Sequence, residues 1–246
     1  MSKVELIQGD CLDKLKNLKD NSVDLVVTSP PYNKNYWIRN RSSVGKRVIG
    51  YDSIDDTLEP NEYIKQQKQV LDELVRIIKP TGSIYYNHID IFHKHNTIHP
   101  AYVYDYNVKQ VIVWDRGNTP KLDKSYFLPT TEWIYWIKKD WNSIPYFDRS
   151  KSTHKKNIWR INREQDQSHP APFPQELVEN IVRSSCPEGG VVLDCYNGSG
   201  TSGVVAIQND MDYIGIDISE NYIEMSRTRI EHEQSKNKHR EFFDAI

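Results

Sequence analysis

Residues 191–203 read Val191-Val192-Leu193-Asp194-Cys195-Tyr196-Asn197-Gly198-Ser199-Gly200-Thr201-Ser202-Gly203, and the chain soon continues Tyr213-Ile214-Gly215-Ile216-Asp217. An apolar run ending in a carboxylate, a glycine turn, a helical segment and a second apolar run ending in a carboxylate describe a strand, turn, helix and parallel strand. Gly198, Gly200 and Gly203 satisfy G-x-G-x-x-G, and Asp217 follows at the distance expected of a carboxylate that grips a ribose diol. A nicotinamide or flavin dinucleotide fits that pattern, but Asp194 does not. A carboxylate at the end of the first strand lies close to a pyrophosphate, and two like charges a few ångströms apart cost about 1 to 4 kcal/mol. A cofactor positively charged there turns the penalty into attraction. S-adenosylmethionine carries a sulfonium and an α-ammonium, and its ribose still needs Asp217. The plainer alternative is a glycine turn between an ordinary strand and helix.

Working outward, short apolar runs at Val4 to Gln8, Val23 to Thr28, Ser83 to Asn87, Val108 to Trp114, Glu132 to Lys138, Gly190 to Asp194 and Tyr213 to Asp217 predict strands. Helical spacing predicts helices over Cys11 to Leu18, from Glu59-Pro60 to a stop at Lys79-Pro80-Thr81-Gly82, and over Pro174 to Ser185, Thr201 to Asn209 and Ser219 to Glu231, with a charged, fraying tail after Arg229. Alternating strands and helices imply an α/β fold, a mostly parallel sheet with helices on both faces, in one domain. Trp141 to Ser168 is polar, basic and irregular, and reads as an insertion outside the core.

The chain has 246 residues, 37% of them hydrophobic, with no apolar run near the length of a membrane span and no secretory pattern at its amino terminus, so a cytoplasmic protein is expected. Three dispersed cysteines exclude a disulfide framework and a four-cysteine zinc site. His88, His93, His95 and His99 span a loop with no cysteine near, and no metal is expected. The net charge of -2 excludes a general polycation, so a nucleic-acid surface has to be local. Two acid-free strips qualify. One holds Lys34, Arg39, Arg41, Lys46 and Arg47; the other holds Arg149, Lys151, Lys155, Lys156, Arg160 and Arg163. Tyr36, Trp37, Tyr51 and Trp159 lie within or beside them, as contact with phosphates and unstacked bases requires, although solvated loops share this composition.

At the end of the strand Val23 to Val27 stands Thr28-Ser29-Pro30-Pro31-Tyr32-Asn33. Two prolines cannot extend a central strand and impose a stiff turn. Ser29 offers a hydroxyl, Pro30 a carbonyl and Tyr32 a flat ring. Such a set suits an aromatic amine, with acceptors in the plane of the base and a ring against its face.

Ser29-Pro-Pro-Tyr32, then His169-Pro170-Ala-Pro-Phe173-Pro174, then the Asp194 to Gly200 turn, in this order, resembles the β-class DNA amino-methyltransferases, which methylate exocyclic nitrogens of cytosine or adenine. The likeness runs from Gly9-Asp10 to about Arg229. It implies a Rossmann-like methyltransferase sheet with one antiparallel edge strand, circularly permuted so that the chain begins inside it. Residues 1–140 would then form the catalytic half, 141–168 a target-recognition insertion and 169–234 the cofactor half. It implies Ser29, Pro30, Pro31 and Tyr32 as the catalytic set, and Asp10, Cys11, Thr28, His169, Asp194, Tyr196, Gly198, Gly200, Thr201 and Asp217 as the set around S-adenosylmethionine. Double-stranded DNA would be the partner, held by Lys34, Arg39, Arg41, Lys46, Arg47, Lys151, Lys155, Lys156, Arg160 and Arg163; a homodimer and a cognate restriction endonuclease are further partners such enzymes admit. Serine before Pro-Pro-Tyr resembles the cytosine-N4 members more than the adenine-N6 members, although the chemistry of the two amines does not decide between them. The reverse-ordered Cys186-Pro187 speaks against carbon-5 methylation through a cysteine adduct. A dinucleotide oxidoreductase and a DNA-binding protein without catalysis are the readings from other classes.

Overall fold

The computed structural model describes residues 2–34, 36, 56–93, 96–117, 127–164 and 173–244. In chain order the elements are β1 (Val4–Gln8), α1 (Cys11–Leu15), β2 (Val23–Thr28), α2 (Pro60–Ile77), β3 (Ile78–His88), β4 (Ile91–His93), β5 (Asn96–Ile98), a 3-10 turn (Ala101–Asp105), β6 (Val108–Asp115), β7 (Thr131–Lys138), β8 (Ile158–Arg160), α3 (Gln175–Ser185), β9 (Val191–Asp194), α4 (Thr201–Gln208), β10 (Asp212–Asp217) and α5 (Glu220–Asp244). Eight strands form one sheet in the order β1-β10-β9-β2-β3-β7-β6-β8. All run in one direction except β7, which is antiparallel to both β3 and β6.

Burial explains this order. All six residues of β2 are buried, as a central strand covered on both faces requires. One face packs Leu25, Val27, Tyr85, Trp136 and Val192 against α3, α4 and Ile230 of α5. The other packs Val26, Ile84, Tyr86, Leu193 and Ile216 against α1 and α2 through Leu15, Val70, Leu71 and Leu74. The helices therefore cover both faces, as the alternation predicts.

Several expectations need correction. The antiparallel strand β7 lies inside the sheet; the outer strands are β8 and β1, so the chain enters at an edge and not within. The first helix stops at Leu15 because the amides of Asn17 and Leu18 turn to carbonyls three residues back, reversing the chain toward β2. Lys79 to Gly82 do not close the second helix. They belong to β3 as a bulge, lying between the pairs Val23–Ile78 and Leu25–Ser83, where β2 spends only Asp24. The bulge needs Gly82, since a Cβ there would sit 3.0 Å from the Lys79 carbonyl oxygen and 3.1 Å from that of Asp24. The last helix runs on to Asp244. The pair β4–β5 forms a small sheet of its own in the stretch after β3 where only a loop was expected.

The largest correction concerns Trp141 to Ser168. Its described part supplies β8 and two core residues, Trp159 and Ile161. The Trp159 indole is buried and donates to the Lys156 carbonyl at 2.8 Å, so this ring is not available to bases. Trp159→Ala should cost about 3 to 5 kcal/mol of stability, the range for truncating a buried aromatic residue. Lys156→Ala, on the exposed side of the same segment, should stay within about 0.5 kcal/mol. Urea denaturation of both variants checks this; equal midpoints would return residues 158–161 to the surface.

Candidate active site

The strands β9 and β2 are neighbours, but the helices that follow them, α4 and α2, lie on opposite faces of the sheet. Ligands of open α/β sheets bind at such a switch point, outside the carboxyl ends of the strands. A cavity of about 310 Å³ opens there. Its wall comes from the residues that follow four strands: Asp10 and Cys11 after β1, Ser29 to Asn33 after β2, Asp194 to Ser199 at the end of β9, and Asp217 and Ile218 at the end of β10. Phe173, from the His169 to Pro174 motif, also lines it; Tyr63, Gln67 and Tyr222 do too and were not singled out from the sequence, because each reaches the cavity by tertiary packing and not through a local pattern.

The glycine turn is built around its carboxylates. Asp194 is buried, and its oxygens accept from Thr28 Oγ1 at 2.8 Å, the Tyr196 amide at 3.1 Å and Ser202 Oγ at 2.8 Å. Burial raises its carboxyl to about 6, and nearby Asp217 pushes the same way, against those three donors. Asp217 accepts from the amides of Gly198 at 2.7 Å and Ser219 at 2.9 Å, which tie the turn to the end of β10. Asp10 caps α1 by accepting from the Asp13 amide. Burial pushes the neighbouring Cys11 thiol up to about 12, so it meets a ligand as a neutral group. Among the described residues lining the cavity are four aspartates, Asp10, Asp56, Asp194 and Asp217, and no lysine or arginine. Thr201 also lines it, and its buried hydroxyl has no partner among the described residues.

Two members of the expected cofactor set act at one remove. Thr28 lies outside the cavity wall and holds Asp194 from β2. Gly200 has φ +81°, and a Cβ on it would lie 2.2 Å from Ser226 Oγ, so this glycine permits α5 to approach the turn and does not itself line the cavity. His169 lies outside the described residues.

The Ser29-Pro-Pro-Tyr32 turn is held from three sides. The Tyr63 hydroxyl donates to the Pro31 carbonyl at 2.8 Å. His88 supports Tyr63: burial lowers its pKa to about 4, and because Tyr63 spends its one proton on Pro31, His88 Nε2 donates to the Tyr63 oxygen at 2.8 Å, which leaves Nδ1 to accept the Ile89 amide at 2.9 Å. Lys34 and Asn33 bind the return of the chain through Asp56 and the Leu58 carbonyl. Pro30 lines the cavity, and no donor reaches its carbonyl among the described residues. Ser29 Oγ lies 2.6 Å from the Tyr32 hydroxyl, which meets Asn87 Nδ2 at 2.6 Å and Glu132 Oε2 at 3.2 Å. The Tyr32 ring is 5% exposed, with the Lys34 ammonium 4.7 Å from its centroid and the His88 ring tilted 5.0 Å away. A base that stacks on Tyr32 has to displace that ammonium. Glu132 and Arg116 were missed by the sequence reading. The signal was present: Glu132 shares a strand face with the apolar Ile134 and Trp136, where a charge calls for a partner.

The second basic strip is split between the two ends of the sheet. Residues 139–152 pass along the end opposite the cavity, where the Tyr146 amide donates to the Thr81 carbonyl, that of Asp148 to the Ser184 carbonyl, and Lys139 Nζ to carbonyls of Val75, Arg76 and Ile78. Lys151 pairs there with Glu188, and Lys155 bonds the Arg149 and Ser150 carbonyls. Those two lysines thus lie at the end of the sheet away from the cavity, because β7 carries the chain there, while Lys156 directly precedes the residues that pair with β6. Only after β8 does the strip return to the cavity end, with Arg160 beside Asp115 and with exposed Arg163. Lys34 stands at the cavity end; Arg39, Arg41, Lys46 and Arg47 lie outside the described residues.

Among the described residues no helix is long and apolar enough to cross a membrane. A family model for DNA methylases, of the N6 and N4 type, matches residues 23–228. The chain is 28% identical to the type II methyltransferase M2.MboI of Moraxella bovis, over 91% of this chain and 86% of that one. Its fold is similar to that of the PvuII cytosine-N4-specific DNA methyltransferase, with a TM-score of 0.73 at 20% identity over 93% of this chain and 86% of that one. It is similar also to a DNA modification methylase of Thermus thermophilus, TTHA0409, complexed with S-adenosyl-L-methionine, with a TM-score of 0.68 at 23% identity over 95% and 94% of the two chains.

The raised pKa of Asp194 has a measurable consequence of definite sign. Without ligand, the folded protein holds a proton that the unfolded chain releases from its ordinary value near 3.8, so stability falls as pH rises toward about 6, by at most about 3 kcal/mol. Asp194→Asn should therefore raise the melting temperature of the unliganded protein at pH 7.5 and leave it nearly unchanged at pH 4. A variant that melts lower at pH 7.5 would make this carboxylate a net stabiliser.

Proposed function

The chain belongs to the DNA methylase family, and from that premise we propose that it transfers the methyl group of S-adenosylmethionine to the N4 amino group of a cytosine turned out of duplex DNA. It does so within a short recognition sequence, as the modifying partner of a restriction endonuclease. The observation that carries this reading is the charge of the cavity, four aspartates and no basic residue in its described wall. A dinucleotide would set its pyrophosphate against Asp194, whereas a sulfonium and an ammonium gain from the same carboxylate. The donor set fits the methyl donor in detail: Asp194 and the orphaned Thr201 hydroxyl suit its charged amino-acid end, and Asp217 and Asp10 suit hydroxyl and amino groups of its nucleoside. When bound, S-adenosylmethionine supplies an electrophilic methyl group that needs no metal and no covalent enzyme intermediate.

The protein's own residues act on the nucleophile. An exocyclic amine conjugated to its ring is weakly nucleophilic, because its lone pair is delocalised. Acceptors at Ser29 Oγ and the Pro30 carbonyl draw the amine hydrogens toward themselves and favour a tetrahedral nitrogen, each bond contributing about 1 kcal/mol or somewhat more away from water. The two prolines and Tyr63 keep these acceptors from following the base, so orientation is fixed before reaction. Turning the base out costs a few kcal/mol, and stacking on Tyr32 at about 1 to 3 kcal/mol offsets much of it. Cytosine is preferred here because a neutral serine precedes Pro-Pro-Tyr, as in the cytosine-N4 members that the sequence resembles; adenine N6 presents the same amine beside a ring acceptor.

Sequencing that distinguishes modified bases, run on DNA from cells expressing this chain, should show N4-methylcytosine at one short motif. N6-methyladenine there would move the reading to adenine, and unmodified DNA would overturn it. For the DNA surface, Arg160→Ala with Arg163→Ala should lower the slope of log affinity against log salt by about 1.8, two phosphate contacts' worth, while Lys151→Ala with Lys155→Ala leaves it unchanged. The reverse pattern would put DNA at the opposite end of the sheet.

A further inference from the structure

Behind the Ser29 turn lies a buried polar network that the reaction as written does not use. Arg116 and Glu132 are each 7% exposed and Asn87 is 1% exposed. Arg116 Nη1 donates to Glu132 Oε1 at 2.7 Å, and its other nitrogens are spent on the carbonyls of Pro129 and Thr130. Asn87 Nδ2 donates to Glu132 Oε2 at 2.6 Å and to the Tyr32 oxygen at 2.6 Å. The Tyr32 hydroxyl donates to the same carboxylate oxygen, and Ser29 Oγ completes the set 2.6 Å from Tyr32.

These bonds have a direction. A carboxylate paired with arginine can only accept, and an amide nitrogen can only donate. Tyr32 has one proton, and a charged acceptor takes it in preference to a neutral hydroxyl. With that proton on Glu132 and the Asn87 amide on its oxygen, Tyr32 can offer Ser29 only a lone pair, so Ser29 has to donate to Tyr32. The Ser29 hydrogen then points into the protein; Asn87 Nδ2 spends its two hydrogens at 2.6 Å on Glu132 and Tyr32 and reaches Ser29 Oγ only at 3.5 Å, so a serine lone pair is left for the cavity. We propose that Glu132, held by Arg116 and acting through Tyr32 with Asn87, is a positioning residue that makes Ser29 an obligate hydrogen-bond acceptor for the target amine. A hydroxyl is ambivalent by nature; here the network gives it the one-sided character that a carboxylate would have by chemistry. This rests on the amino-methyltransferase reading.

The test uses the whole protein, tritiated S-adenosylmethionine and unmethylated bacteriophage λ DNA. Glu132→Gln puts a group that can donate opposite Tyr32 and frees the tyrosine proton to turn toward Ser29. It should lower kcat by about ten- to a hundredfold, with KM for DNA and the cofactor Kd within about twofold of wild type. Tyr32→Phe keeps the ring and the Arg116–Glu132–Asn87 pairing, and should show the same split; it serves if Glu132→Gln leaves Arg116 unpaired and does not fold. Because both act through one hydroxyl, the double variant should be no slower than the slower single one. Ser29→Asp, an acceptor whatever surrounds it, should restore kcat at least about fivefold in either background, which a merely structural role of Glu132 does not predict. Wild-type kcat in both single variants, or no restoration by Ser29→Asp, overturns the inference. No transfer by the wild-type protein would sink the methyltransferase reading and this inference with it, whereas transfer retained by the variants sinks this inference alone.

Discussion

The hydrogen bond from Thr28 Oγ1 to the buried Asp194 carboxylate joins the two halves of the site. Thr28 ends β2, which delivers the Ser-Pro-Pro-Tyr turn, and Asp194 ends β9, which delivers the glycine turn. The two strands touch at the switch point of the sheet, so one short contact sets the distance between the glycine turn and the Ser-Pro-Pro-Tyr turn. The arrangement has a cost. Asp194 is desolvated, has Asp217 nearby and is charged only above about pH 6. Three hydrogen bonds offset part of that cost.

Rigidity on the other side of the cavity comes from fixed hydrogen-bond polarity more than from the prolines alone. Pro30 and Pro31 restrict the backbone, but the orientation of each carbonyl and hydroxyl is set by partners distant in sequence. Tyr63 from α2 occupies the Pro31 carbonyl. His88, donating from Nε2 to the Tyr63 oxygen, holds that hydroxyl on the Pro31 carbonyl. Glu132 from β7 and Asn87 from β3 perform the same service for Tyr32. Arg116, just after β6, anchors that carboxylate, so three adjacent strands converge on one tyrosine.

The single reversed strand accounts for which basic residues stand at the cavity end of the sheet. Because β7 runs against its neighbours, the chain leaves it at the end of the sheet away from the cavity and has to pass along that end before β8 brings it back. Lysines that are close to Arg160 in sequence are thereby separated from it in space. Trp159, flanked by cations in the sequence, is turned inward as the buried residue of an outer strand.

What the sequence determined by itself was local. The two apolar strands ending in Asp194 and Asp217, the glycine turn between them and the proline-stiffened Ser29 turn are each written in contiguous residues, since backbone conformation and strand periodicity depend on near neighbours. Their likeness to the amino-methyltransferases followed from those patterns, and local periodicity placed the five α-helices and seven of the ten described strands, missing β4, β5 and β8. What only the tertiary structure decided was which groups face one another across the sheet. That Thr28 holds Asp194, that Gly200 serves the approach of Ser226, that Trp159 is core and that Glu132 stands behind Tyr32 all depend on strand order and on the direction of β7. Strand order is set by the summed burial of two apolar faces, a property of the whole chain that no segment carries alone.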